Sequence, residues 1–187
     1  MKLKVANELV HRMCMLLTAA YEVGTEFAVE NPADRGDPAH PELFIHPEHA
    51  PLWIMPEMLA LQKLASCRRS TFPMCAFGAP FLKYTSILYT PGLAHDMQDL
   101  DLLKCVHDDH PERAGGERTG DAWNSARAAA YPADLNHFLA ASLSRLMASR
   151  EVISQHPTVL RQLEGRGQHS YEASSMPRPI LGVHVLT

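Results

Sequence analysis

Between Lys4 and Tyr21 the apolar positions Val5, Leu9, Met13, Leu16 and Ala20 recur at helical spacing, and Lys4, Glu8, His11 and Arg12 lie outside or beside that stripe. The pattern predicts an amphipathic helix over 4–21, stopped by Gly24. A short β-prone run follows, Glu26 to Glu30, ended by Asn31-Pro32. Helix, glycine and strand in that order are the grammar of an α/β fold. Six prolines (32, 38, 41, 47, 51 and 56) then mark a long polar loop, with Leu52 to Met55 expected to tuck back onto the core. Pro56 suits the first position of a helix to about Ser66. Two further strands are predicted over 70–77 and 83–90, and Pro73 puts the first of them at an edge or a bulge. Residues 91–122 read as irregular. Pro132 opens the clearest helix, whose face is Leu135, Phe138, Leu139, Leu143, Leu146 and Met147. A helical piece over 151–164 is interrupted by Pro157, and the remainder reads as a tail.

Composition narrows the class. At 187 residues, 46% hydrophobic and 20% charged, the chain suits one soluble domain over 1–150, followed by the broken helix and tail of 151–187. A net charge of -4 speaks against a free-standing nucleic-acid binder, which needs a basic surface. Four cysteines are too few for a disulfide scaffold, so a reducing compartment, cytoplasm or nucleus, is expected. The apolar run Met13 to Ala20 is too short to span a bilayer, and no membrane association is expected. Trp53, Phe72, Phe77 and Phe138 are assigned to the core, and so is Cys14, which falls inside the apolar pattern of the first helix.

Two groups of residues have chemical potential. Glu30 ends the first strand, where open α/β sheets place ligands, although a strand-end carboxylate by itself is more simply read as facing water. Cys105-Val106-His107-Asp108-Asp109-His110 offers three metal ligands in six residues, with Cys75 as a fourth. Zinc favours four such ligands in a tetrahedron. Cys-x-His-x2-His is no standard finger spacing, and the simpler alternative is a solvated loop with core cysteines. His40, His46 and His49 form a looser group, read as solvated.

Three segments resemble cytosine-5 DNA methyltransferases in order along the chain: Glu30-Asn31-Pro32, then Cys75-Ala76-Phe77-Gly78 through Lys83-Tyr84-Thr85 into an apolar strand, then Ala128-Ala129-Ala130-Tyr131-Pro132-Ala133-Asp134-Leu135 leading into the long helix. The likeness spans residues 27–148 and is greatest to the branch found in phages and mobile elements. That branch has Glu-Asn-Pro, Cys-x-Tyr/Phe-Gly, Lys-Pro-Thr, then Cys and His. Tyr84 departs from it. Against the wider family, Pro32 replaces a valine, Phe81 a glutamine, and Lys83 and Thr85 two arginines. The resemblance implies a partial Rossmann-like methyltransferase sheet with flanking helices, truncated and diverged. It also implies a flipped-out cytosine, attack by a cysteine on C6, a glutamate at N3, and methyl transfer from S-adenosylmethionine. Glu30 would hold the glutamate's position, with Asn31, Lys83 and Thr85 beside the substrate. The family's cofactor loop (Gly-x-Gly) and Pro-Cys loop precede its Glu-Asn, and residues 1–29 contain neither. DNA and S-adenosylmethionine are therefore expected to bind only when an upstream segment or partner chain completes the domain, and the chain is expected to be inactive alone. The alternative is a non-catalytic, zinc-stabilised binding or structural module. Half of a parallel sheet would also leave an open strand edge, which is an aggregation hazard.

Overall fold

The computed structural model describes residues 2–43, 51–114, 118–119, 122–123, 128–149 and 184–185. Helix α1 spans Lys2–Glu22 and strand β1 Ala28–Pro32; a 3-10 turn over Leu52–Ile54 leads into α2, Pro56–Leu64. Strand β2 covers Arg68–Pro73, a 3-10 turn Met74–Phe77, and β3 Tyr84–Tyr89. Short helical turns occupy 91–102, among them α3, Ala94–Met97. The long helix α4 spans Ala133–Ser149. A two-residue hairpin pairs β4, Arg118–Thr119, with β5, Ala122–Trp123. Strand β6 is His184–Val185.

The chain thus mixes helix and strand around a small antiparallel sheet. β3 lies in the middle, antiparallel to β1 on one side and to β2 on the other. β1 and β2 are therefore parallel to each other, linked through α2, with an antiparallel strand between them. This differs from the continuous parallel sheet expected from the sequence. On its other side β1 pairs in parallel with β6, Val29 opposite His184.

Alternation sorts the strands into two faces. Val29 and Leu88 pack with Val10, Met13, Cys14 and Leu17 of α1, with Met58 and Leu61 of α2, and with Trp53. Ala28, Ile87, Tyr89 and Phe72 pack on the opposite side with Leu135, Leu139 and Leu146 of α4 and with Leu93, Met97 and Leu100. The sheet is the middle of three layers. Leu52 and Trp53 do fold back into the core, whereas Ile54 stays exposed. Trp53 donates its indole N–H to the Pro32 carbonyl at 3.0 Å and receives the Arg69 guanidinium on its ring. Phe72 is buried; Phe77 and Phe138 are half-buried against it, their rings 5.8 Å apart.

Several element bounds shift for identifiable reasons. β1 runs through Asn31-Pro32, because a proline at the last position of a strand costs no further ladder bond. β2 ends at Pro73, and the chain turns over Met74–Phe77 to Gly78, whose φ of 84° is left-handed. β2 is an edge strand, as Pro73 indicates. Residues 91–102 are helical rather than irregular; the spacing of Leu93, Met97 and Leu100, all buried, was the overlooked signal. The piece over 151–164 lies outside the described residues.

The outer edge of β2 is closed by a side chain. Asp101 accepts the Thr71 backbone N–H at 2.7 Å and the Ser70 hydroxyl at 3.2 Å. Among the described residues no buried side-chain polar atom lacks a hydrogen-bond partner, and no helix is long and apolar enough to cross a membrane.

Buried thiols give the fold a pH signature. Burial, then the charge of Glu57, pushes Cys14 from 9.0 up to about 11; burial, then Glu26, pushes Cys67 up to about 12. In the unfolded chain both ionise first, so their contribution to stability is complete below pH 9.0 and is lost as pH rises toward 11 and 12. Urea midpoints measured from pH 8 to about 10.5 should therefore fall, and less so in a Cys14→Ala, Cys67→Ala variant. Equal slopes in the two proteins would remove the thiols as the cause.

Candidate functional site

Because β1 and β2 are parallel, their carboxyl ends share one rim of the sheet, and β3 begins there. The register places Pro32 opposite Thr85 and Pro73 opposite Tyr84. Glu30, Asn31, Cys75, Lys83 and Thr85, scattered over 55 positions of the chain, are gathered at this rim for that reason. It is also the rim where α/β sheets hold ligands.

Glu30 is 2% exposed, contrary to a strand-end carboxylate facing water. Its position on the α4 side of β1 turns it inward. Thr85 donates its hydroxyl proton to Oε1, and the Tyr131 hydroxyl donates to Oε2 at 2.8 Å. The Thr85 hydroxyl also lies 3.0 Å from the Asn31 carbonyl, so its single proton has two acceptors. Lys83 is engaged elsewhere: its Nζ donates to the Ala128 carbonyl at 2.9 Å. Tyr131 is held well above the ordinary phenol range by burial first, then by the Glu30 charge and their hydrogen bond. Both oxygens of Glu30 are satisfied, and the 128–131 segment is pinned over the carboxylate by Lys83 and Tyr131. Tyr131 was not assigned from sequence, because an aromatic before a proline signals a helix entry and not a hydrogen-bond donor 101 residues away.

The metal candidates also come together. The ligand atoms of Cys75, Cys105, His107 and His110 all lie within 4.8 Å of one another. Cys105 Sγ is 3.8 Å from His107 Nδ1 and 3.6 Å from His110 Nε2. A tetrahedral zinc with ordinary Zn–S and Zn–N bonds requires S···N edges of about 3.6 Å and S···S edges of about 3.8 Å. The donor set could hold a metal ion and suits zinc in chemistry, and the two Cys105 S···N distances are near those edges, where Cys-x-His-x2-His alone did not suggest a finger. Cys75 is buried in the 3-10 turn after β2, and its thiol is raised to about 11 by burial first and then by Cys105 beside it. The other three donors sit on a loop with little apolar anchorage, in which Leu102 and Val106 are 76% and 85% exposed. One backbone contact helps the ligands hold it: the Glu112 N–H donates to the Pro80 carbonyl at 3.0 Å.

The two sites are neighbours through β3. Tyr84 has its phenol raised by burial and then by the charges of Glu42, Cys105 and Cys75, while the next residue, Thr85, holds Glu30. His40, from the looser histidine group, pairs with Glu42 at 3.6 Å. His46 and His49 lie outside the described residues. No protein-family model, no curated protein and no solved structure matches the chain.

Proposed function

We propose that this chain is the base-recognising part of a diverged cytosine-5 DNA methyltransferase-like domain, with a partial Rossmann-like sheet and a zinc staple beside its carboxylate. One observation supports this reading above all. The three segments singled out by resemblance alone meet around a single buried carboxylate: Thr85 and Tyr131 on Glu30, and Lys83 on the Ala128 carbonyl. In the proposed role Glu30 faces N3 of an extrahelical cytosine, and Asn31, Lys83 and Thr85 shape the rim around it. Tyr131 closes Glu30 off, so a base reaches the carboxylate only when Tyr131 swings aside. S-adenosylmethionine and the attacking cysteine would be supplied by a further segment or a partner chain, since residues 1–29 hold neither Gly-x-Gly nor Pro-Cys.

The sealed state of Glu30 favours a second reading, a non-catalytic module in which zinc and the carboxylate network are both structural. Duplexes carrying one unpaired cytosine or one unpaired thymine separate the two. An ionised carboxylate offers two acceptors, the complement of cytosine protonated at N3, whose N3–H and N4–H both donate; thymine offers one N–H beside a carbonyl, which the Gln amide fits equally well. Under the first reading the zinc-loaded protein binds the cytosine duplex more tightly, by about tenfold for one well-made paired contact. Glu30→Gln weakens that preference, and no DNA methylation accompanies binding. Equal binding of both duplexes, unchanged in Glu30→Gln, favours the structural module.

A further inference from the structure

Two of the four metal donors are thiols, and both are free of disulfide bonds. The sulfurs of Cys75 and Cys105 lie within 4.8 Å of each other. A disulfide needs about 2.0 Å, so an approach of less than about 3 Å would join them. The two partners are held very differently. Cys75 is 4% exposed in the turn after β2, where its carbonyl accepts the Gly78 N–H at 3.0 Å. Cys105 is half-buried and sits between the exposed Lys104 and Val106, on a loop with few apolar anchors. The approach therefore falls to Cys105, which is also the sulfur that a solute meets first. The other two cysteines do not compete. Cys14 and Cys67 belong to the core on the α1–α2 side of the sheet, with Cys14 Sγ on Met58 Sδ at 3.4 Å, and neither joins the donor cluster.

We propose that Cys75 and Cys105 are a reversible redox pair, which a hydroperoxide joins as a disulfide so that the metal is given up. The inference rests on the zinc staple proposed above and adds its regulation. A thiol that coordinates a metal is deprotonated, which is the form that attacks peroxide. The Cys105 thiolate takes one oxygen of hydrogen peroxide, becoming a sulfenic acid and releasing hydroxide. The Cys75 thiolate then attacks that sulfur, the S–S bond forms, and a second hydroxide leaves. The two sulfurs lose two electrons and the peroxide gains them. His107 and His110 are then half of a four-ligand set, too few for zinc. The disulfide joins the same turn to the same loop, so a covalent tie replaces the metal one. Where cells keep thiols reduced, such a bond is transient, which suits a sensor and not a permanent brace.

The test treats full-length zinc-loaded protein with hydrogen peroxide. Freed zinc is read with a coloured chelator, remaining thiols are counted, and the cysteine peptides are mapped by mass. One equivalent of zinc is expected to appear for every two thiols lost, with Cys75 linked to Cys105 in the wild type. A Cys14→Ala, Cys67→Ala variant, which keeps only the donor thiols, should pass from two thiols to none with the same zinc release. A dithiol reductant and fresh zinc should restore the starting state. A loaded protein that keeps its zinc, or that loses it with Cys105 driven to sulfinic acid and Cys75 still a free thiol, overturns this inference alone. So does a link between Cys105 residues of two copies. A protein that takes up no zinc before any oxidant is added overturns the staple and the inference together.

Discussion

Purified with zinc, the protein is expected to hold one equivalent, and removing it should lower the melting temperature by about 8–16 °C. The figure follows from mass action. A metal present at about 1,000 times its dissociation constant stabilises by about 4 kcal/mol. Each kcal/mol moves the melting point of a chain this size by about 2–4 °C. The core of Trp53, Phe72, Leu88 and Leu135 is independent of the metal, so the apo protein should remain folded in the sheet and lose order in the 103–114 loop. Cys75→Ser and His110→Ala should each lower zinc affinity by more than about 100-fold, beyond the effect usual for residues that only support ligands. Cobalt in place of zinc should show thiolate-to-metal absorption in the wild type that weakens in Cys75→Ser. Uptake should fall with falling pH, because both thiols and both imidazoles must be free of protons to bind. Stoichiometry near zero with an unmoved melting point would return the loop to the solvated reading.

The second large effect is expected at Glu30. Its replacement by alanine takes the acceptor from the half-buried Tyr131 hydroxyl, while Thr85 falls back on the Asn31 carbonyl. One orphaned hydroxyl and a lost buried side chain together cost about 2–3 kcal/mol. Glu30→Gln should cost less, since its amide oxygen accepts from one hydroxyl and its NH2 donates to the other. Tyr131→Phe combined with Glu30→Ala should cost less than the sum of the two single changes, because the phenylalanine removes the group that the alanine orphans. Urea denaturation of the wild type and these four variants measures this. A Glu30→Ala protein as stable as the wild type would mean that Tyr131 and Thr85 do not hold the carboxylate.

The helices were legible in the sequence as periodic apolar segments, and Pro56 and Pro132 mark two of the starts, but the face read for α1 was off: Val5, Leu9 and Leu16 are exposed, and its buried side is Val10, Met13, Cys14, Leu17 and Ala20. The three strands were legible as β-prone runs, but their order was not. That β3 lies between β1 and β2 depends on pairings such as Thr85 with Pro32 and with Phe72, which no local pattern encodes. The same gap explains the site. Glu30 looked solvent-facing because its burial comes from Tyr131, 101 positions away. The four metal donors were found by residue type, yet spacing alone favoured a solvated loop; the closure comes from Cys75, contributed by the turn after β2. Helix 91–102 was missed because its turns are short and change type, although its three buried residues keep helical spacing.

The two margins of the sheet are unlike, and that gives the fold a direction of growth. With Asp101 occupying the amide of Thr71, an incoming strand finds no free donor there on β2. On the far side β1 accepts a parallel neighbour, as the pairing of Val29 with His184 illustrates. The far margin is thus β6, which runs parallel to β1 and points its carboxyl end toward the rim that Glu30 occupies. A strand laid beside β6 in the same sense would bring its own end to that rim by the geometry of addition itself, with no hinge or linker needed to aim it.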